Sequence, residues 1–303
     1  MFLFAEGGGH HTPIVVEFIN TYLGQPVHEF QMQWTYPVWE LILGKLGTTP
    51  EAVFGPYTPE TAIPWYTIMF TIACILSVCV IWVFKGKLSE DDPTHGQLTM
   101  EAGFLAIKDL VVSVIGEHGY KYFPVVATFA VLVLISNLMG LFPAFMAPTA
   151  HISVTFALGI TSFIYYNYVG IHENGILKHL AHFAGPRLPL LLALIITPLI
   201  FGIELVSNMI RPATLALRLF ANMFADEQIS MQISGLAPPF TQFLLPVLIM
   251  PLAVFVAFVQ TLVFTILSMI YIGEVSHAHD DHNDEEEKNE DQGGNAEVAA
   301  AAA

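Results

Sequence analysis

The sequence predicts an all-α integral membrane protein with about five transmembrane helices and a surface amphipathic helix. The last two helices are expected to form a long, strongly tilted hairpin. Composition is the first indication: 54% of the residues are hydrophobic and 12% are charged, whereas soluble domains carry about 25% charged residues. The second is two long uncharged stretches, residues 122–171 and 228–273. The third is the distribution of charge. The chain has a net charge of −16, and residues 274–303 alone contain ten acidic residues and one lysine.

The first 117 residues are predicted to contain an extramembrane segment, the first membrane span and the surface helix. Residues 1–60 are rich in proline, glycine and aromatic side chains. They predict an extramembrane segment with interfacial Trp and Tyr and a short helix. Residues 63–84 carry no charge and are long enough to cross a bilayer once. Residues 99–117 place apolar side chains at helical spacing among charged ones, which predicts the surface helix.

Residues 61–273 are predicted to form one membrane-embedded domain. Each long uncharged stretch exceeds a single span and is interrupted by prolines, so it is divided into an outgoing and a returning helix. The spans are expected near residues 63–84, 122–142, 151–171, 190–235 and 240–272. The acidic, low-complexity residues 274–303 predict a disordered tail.

The length of the last span predicts its tilt. Residues 240–272 would form a helix about 50 Å long at about 1.5 Å per residue. The hydrocarbon core is only about 30 Å thick, and tilts above about 40° are unusual. A tilted hairpin that is partly shielded from lipid by protein accommodates this length best.

Basic residues in the short loops predict the orientation of the chain. The loop at residues 85–121 holds four lysines, and the loop at residues 172–187 holds Lys178 and Arg187. The turn at residues 143–150 holds no basic residue. The N-terminus of this multi-pass protein is therefore expected outside and the C-terminus in the cytoplasm.

Arg218 is the residue that calls for a functional explanation. It lies among leucines in a predicted span, where a buried arginine costs at least about 3 kcal/mol. On an ideal helix, Asn222 lies about 40° and Ala225 about 20° from it. The neighbours on this face are small or apolar, so another helix can approach closely.

The carboxylates of the same chain are poorly placed to neutralise Arg218. Glu227 falls on the opposite side of the ideal helix, and Glu204 lies three to four turns away. Pro212 is expected to interrupt the helical register between Arg211 and Arg218. Arg211 is expected at a helix bend or interface and not in an ion path. An anion on another chain is the predicted partner of Arg218.

Three ordered motifs carry a resemblance to a known family. "SNLMGLFP" occupies residues 136–143, "RPATLALRLFANMFADE" residues 211–227, and "FVQTLVFTILSMIYIGE" residues 258–274. Together they resemble subunit a of the rotary F-type ATP synthase membrane sector, over about residues 60–275. The resemblance implies a proton-conducting stator subunit that forms two aqueous half-channels against a ring of c subunits. Proton translocation through them drives rotation and ATP synthesis.

The resemblance also assigns roles to individual residues. Arg218 matches the stator arginine that faces the c-ring carboxylate, and Asn222 and Gln260 match polar positions beside it. Glu204 and Glu227 match acidic positions of the half-channels. Asn137 matches a family position without a clear role. The implied partners are the c-ring, the b subunits of the peripheral stalk and membrane lipid.

The sequence departs from the family pattern at one place. Many relatives carry a histidine or an exchanged acid on the last helix, seven residues before the glutamine, as the partner of the acid at Glu227. This chain has Ala253 there, so a Glu–His relay does not operate in that form. His151, at the start of the third span, is an alternative titratable group, and an interfacial histidine is the simpler interpretation.

Other functions find little support in the residues. The chain contains none of the motifs HExxH, GxSxG or a P-loop, so no catalytic activity, cofactor, metal or nucleic acid is predicted, and nucleotide chemistry belongs to other subunits. A stand-alone secondary transporter, with an intramembrane arginine that binds an anionic substrate, is the alternative. It would show inverted repeats, and the sequence shows none. The coupling ion, proton or sodium, is left open.

Overall fold

The computed structural model describes residues 14–45, 47–54, 58–59, 62–86, 89, 93–142, 145–182, 190–234 and 240–276. All its regular elements in these ranges are helical. The N-terminal part contains α1 (Ile14–Phe30), a π-helical turn (Gln31–Thr35), α2 (Tyr36–Gly44) and α3 (Pro50–Phe54). Then come α4 (Trp65–Lys85), α5 (His95–Ile115), a 3-10 turn (Glu117–Tyr122) and α6 (Phe123–Met139). A short 3-10 turn (Pro148–Ala150) leads into α7 (Ile152–His182), α8 (Leu190–Ser234) and α9 (Phe240–Ser276).

The predicted number of membrane spans is confirmed. In the described ranges, five helices are long and apolar enough to cross a bilayer. Their candidate spans are Trp65–Lys85, Glu117–Met139, Ile152–Glu173, Thr197–Ile229 and Met250–Ser276. The chain is therefore an all-α, multi-pass membrane protein.

The helix ends follow local chemistry. The Thr94 hydroxyl accepts a hydrogen bond from the backbone N–H of Gln97 at 3.3 Å, which caps the start of α5. Gly116 ends this helix with φ of 95°, a conformation that a residue with a Cβ adopts only under strain. The helix thus begins four residues before the predicted surface helix at 99–117 and covers most of it. The tail beyond Ser276 lies outside the described residues.

The chain divides into two compact units. The first combines Met1–Trp82, Leu132–Val154 and Asn222–Ala257, and the second combines Val83–Val131, Thr155–Ala221 and Phe258–Ala303. A core of buried apolar side chains in the first unit comprises Val16, Ile68, Met69, Ala73 and Met139. The larger core of the second unit contains Val111, Ile115, Tyr122, Val126, Tyr166, Val169, Met269, Ile272 and Val275.

A buried hydrogen bond stabilises the turn between α6 and α7 in the first unit. The Thr149 hydroxyl donates to Asn137 Oδ1 at 2.8 Å, and both side chains are at most 3% exposed. Buried polar groups need such partners because an unsatisfied one costs about 1–3 kcal/mol. Asn137 therefore has a structural role that the sequence did not reveal: it joins the end of α6 to the 3-10 turn before α7.

The structure does not show the interruption that was predicted at Pro212. Helix α8 remains helical through this residue, although proline lacks the N–H that would bond the carbonyl four residues earlier. That carbonyl belongs to Asn208, and the Tyr166 hydroxyl lies 3.4 Å from it while also donating to Asn208 Oδ1. Tyr166 thus compensates the backbone group that Pro212 leaves unsatisfied, as membrane helices require.

A glycine on α7 permits this close helix contact in the second unit. A Cβ added to Gly159 would lie 2.7 Å from the carbonyl oxygen of Pro212 and 3.1 Å from the Ala216 Cβ. No side chain fits at the first of these distances. Small residues at this crossing bring α7 and α8 together, which is the usual basis of helix association in membranes.

Candidate functional site

Arg218 lies on the outer side of α8. Its side chain is exposed, whereas Leu215, Ala216 and Leu219 are almost completely buried in the second unit. Within the part of the chain that the structure describes, no carboxylate lies within ion-pair distance of Arg218. That Arg218 finds its carboxylate partner on another chain stays a prediction.

Small side chains surround the arginine on this face of the helix. Thr214 lies one turn before Arg218, and Ala221, Asn222 and Ala225 lie one to two turns after it. All four are exposed. A helix of another chain can approach such a face until its side chains reach the guanidinium.

Arg211, two turns before Arg218 on the same helix, has the opposite environment. Its guanidinium binds Glu274 of α9 through both terminal nitrogens, and the Nη2–Oε1 contact measures 2.8 Å. The same Nη2 lies 3.5 Å from Glu204 Oε1. The side chain of Arg211 is 20% exposed, so water screens these pairs only in part. Glu204, predicted as a half-channel acid, is thus held by Arg211.

Aromatic residues complete this ion cluster in the second unit. The Arg211 guanidinium carbon lies 5.4 Å from the centre of the Tyr271 ring, within the range of a cation–π interaction. The Tyr271 ring lies 5.9 Å from that of Tyr166, whose hydroxyl supports α8 at Asn208. Glu274 was not predicted as a site residue because it is the first residue of the acidic run. Its place in the third motif was the available signal.

The other predicted site residues differ in their exposure. Glu227, in the first unit, is half-buried, as is the adjacent Asp226. Gln260 is 3% exposed and lies in the second unit. Asn222 is exposed, so the polar side chains expected beside Arg218 do not share one environment within this chain. Ala253, at the position of the absent histidine, is buried.

His151 is held by aromatic rings and a helix terminus in the first unit. Its ring stacks on Tyr66 with centres 3.8 Å apart and 10° between the planes, and it meets Trp65 edge-on at 5.7 Å. Its Nδ1 accepts a hydrogen bond from the Ser153 backbone N–H at 3.3 Å, which caps the start of α7. Burial lowers the pKa of His151, so the neutral ring that this bond requires is favoured. The contacts match the interfacial interpretation.

Metal binding finds no support in the described residues, because no group of three or more His, Cys, Asp or Glu side chains is placed to hold an ion. The Arg211 cluster contains two carboxylates, but the guanidinium occupies the space between them. In this cluster, Arg211 therefore neutralises the charges of Glu204 and Glu274 within the chain.

The Arg211 cluster predicts a ranking of stability effects. Arg211→Gln leaves two carboxylates without their cation and should destabilise the protein by about 1–3 kcal/mol. Glu274→Gln should cost less, and Glu204→Gln least because that contact is single and long. Thermal unfolding of the purified subunit in detergent measures the order.

The double variant Arg211→Gln/Glu274→Gln serves as the control. It should recover part of the loss, since it leaves only Glu204 without a counter-charge. A loss from Arg211→Gln no larger than that from Glu204→Gln would contradict the cluster.

Comparisons with known proteins agree with this architecture. Residues 66–273 match the family model described as the ATP synthase A chain. A relative named ATP synthase subunit a from Solibacter usitatus is 37% identical over 241 residues, covering 78% of this chain and 95% of the relative. One of the same name from Aquifex aeolicus is 39% identical over 208 residues, covering 67% and 93%. Another, from Geotalea daltonii, is 38% identical over 213 residues, covering 70% and 88%. With a five-span helical membrane domain and a family match over more than two thirds of its length, the chain belongs to the ATP synthase A chain family.

Proposed function

We propose that this chain is the ion-conducting stator subunit of an F-type ATP synthase, with Arg218 facing the carboxylates of a rotating c-ring. The observation that carries the proposal is the exposure of Arg218 on a face of small residues, without a carboxylate partner in the described chain. A permanent charge in a membrane helix requires an anion or water. Membership of the ATP synthase A chain family supports assembly of this chain into a complex with other subunits.

The chemistry of a carboxylate meeting Arg218 explains how an ion is released. A ring carboxylate facing lipid must be neutral, because an ionised one is costly there. Opposite Arg218 its ionised form is favoured, so the proton leaves into an aqueous half-channel. The carboxylate takes up another proton before it returns to lipid. The proton is the proposed coupling ion.

A fixed positive charge also keeps the two half-channels apart. An arginine stays protonated at every working pH, whereas a buried lysine loses its proton readily. Arg218 therefore blocks a proton that would otherwise pass directly between the half-channels. Two openings at different depths, one on each side of the arginine, convert this block into directed rotation.

The acidic residues are assigned to the half-channels. Glu227 is half-buried, so water can reach its carboxylate while protein surrounds part of it. Because Ala253 occupies the usual relay position and carries no titratable group, water is proposed to deliver protons to Glu227 directly. Glu204 serves the other half-channel, held in place by Arg211. Asn222 and Gln260 are assigned to polar support of the carboxylate as it passes.

The proposed topology follows the loop charges. In a bacterial inner membrane, the N-terminus is proposed to lie outside and the C-terminus in the cytoplasm, and the b subunits of the peripheral stalk are proposed partners. Helices α8 and α9 have 45 and 37 residues, which exceeds what a bilayer of about 30 Å requires. They are therefore proposed to cross obliquely along the ring.

Replacement of the arginine tests the central assignment. In assembled complexes, Arg218→Ala should abolish ATP-driven proton pumping into vesicles while ATP hydrolysis by the head remains measurable. The reason is that nothing then favours release of the proton from the ring. Thr214→Ala, on the same exposed face, is the matched control and should pump nearly normally. Normal pumping by Arg218→Ala would refute the proposal.

Glu227→Gln tests the half-channel. It should slow passive proton flux through the membrane sector several-fold, because the amide cannot take up a proton at working pH. The subunit should remain in the complex, as gel analysis of the purified enzyme can verify. Asp226→Asn changes the neighbouring carboxylate and should affect flux less. Equal flux in Glu227→Gln and the unmodified complex would remove Glu227 from the path.

A further inference from the structure

The N-terminal helices lie outside the residues that match the family model, which begin at residue 66. Helix α1, the π-helical turn and α2 follow one another without a break from Ile14 to Gly44. The backbone at both joints is right-handed helical, with φ of −61° at Phe30 and −60° at Tyr36. This part of the chain therefore forms one extended helical segment, which we call the N-terminal helix.

Polar contacts hold the N-terminal helix beside the start of the first span. Asn20 Nδ2 donates to the Ile63 carbonyl, and the Ile63 N–H donates back to Asn20 Oδ1, each at 3.2 Å. Gln31 Nε2 donates to the Ala62 carbonyl at 2.8 Å. The candidate span begins at Trp65. These bonds place the segment at the level where the chain enters the membrane.

The second half of the N-terminal helix carries apolar side chains that this unit does not cover. No residue of the π-helical turn or of α2 is buried. Trp34 is 64% exposed and Leu41 is 66% exposed. The other large apolar side chains exposed here are Met32, Val38, Trp39 and Ile42. Within residues 31–44, Glu40 is the single charged residue.

This composition fits the boundary between lipid and water. Tryptophan and tyrosine concentrate at that boundary because their rings are apolar and their N–H or O–H groups need water. A helix with one polar edge and an apolar remainder lies in the plane of the interface. The nine residues of α2 are too few to span a bilayer, which needs about 20. Water alone would leave the whole apolar surface exposed at a cost.

We propose that residues 31–44 lie in the interface of the bilayer, on the side where α4 begins, and bind a phospholipid surface. Val38 and Ile42, one turn apart, face the acyl chains. Glu40 lies about 160–200° around the helix from both and faces water. Trp34 and Trp39 anchor the segment, which fixes the start of the first span relative to the membrane.

Spin labels at two neighbouring positions test this placement. Ile42→Cys and Glu40→Cys are each made with Cys74→Ser and Cys79→Ser and labelled with a nitroxide. Any accessible cysteines of the other subunits are replaced as well, and the complex is reconstituted into phosphatidylcholine vesicles. Molecular oxygen concentrates in lipid, whereas a nickel chelate stays in water, so their relative collision rates with the label report its environment.

The proposal expects the ratio of oxygen to nickel accessibility to be several-fold higher at position 42 than at position 40. Val38→Cys, on the same face as Ile42, should repeat the higher ratio. Preferential access of nickel at both 40 and 42 would place the helix in water and overturn the proposal. Access of neither reagent at 42 would show that another protein covers this face, and would overturn it equally. Equal ratios at the two positions would contradict the orientation.

Discussion

The charge of Arg218 is the main physical constraint on this molecule, because a permanent charge in a membrane helix must be stabilised by an anion or by water. Seven residues earlier, Arg211 shows how the chain stabilises such a charge internally, with Glu204, Glu274 and the Tyr271 ring around one guanidinium. Arg218 lacks a carboxylate among the described residues and is exposed. The contrast along one helix separates a structural arginine from one available to another chain.

The surrounding structure keeps the face of Arg218 accessible. Leu215, Ala216 and Leu219 pack inwards and hold the opposite side of α8 in the core of the second unit. Pro212 would weaken the helix between the two arginines, but Tyr166 supports the carbonyl that it frees. Gly159 lets α7 approach at that point. In the proposed function, a guanidinium held on this helix would meet one ring carboxylate after another in the same geometry.

Tyr166 and Tyr271 connect the helices around the Arg211 cluster. Tyr166 joins α7 to α8, and its ring lies near Tyr271 beside the Arg211 cluster. Through these contacts, Glu204 is tied to α7 and α9 as well as to its own helix. In the proposed function, a half-channel acid held this way would keep its position while the ring moves past. The N-terminal helix is proposed to add a lipid anchor beside the start of the first span.

Composition and uncharged runs were sufficient to predict five spans, since a bilayer fixes the length and polarity of each. The face of small residues around Arg218 was predicted from helical periodicity, which is a local property. The pair between Arg211 and Glu274 joins residues 63 positions apart, and no local pattern encodes such a contact. The continuity of α8 through Pro212 likewise depends on Tyr166 from another helix. The N-terminal helix was predicted only as a short one, because its mixed aromatic and polar residues lack a clear apolar period.

Disulfide cross-linking between α8 and the ring tests most directly whether Arg218 meets a carboxylate of another chain. Cysteines replace Thr214, Ala221 or Ala225 in turn on the exposed face, and one cysteine is placed beside the carboxylate of the c subunit. The account predicts cross-links from these three positions and none from Ala216→Cys, which is buried in the second unit. Cross-linking at Ala216 alone, or at none of the four positions, would show that this face of α8 does not meet the ring.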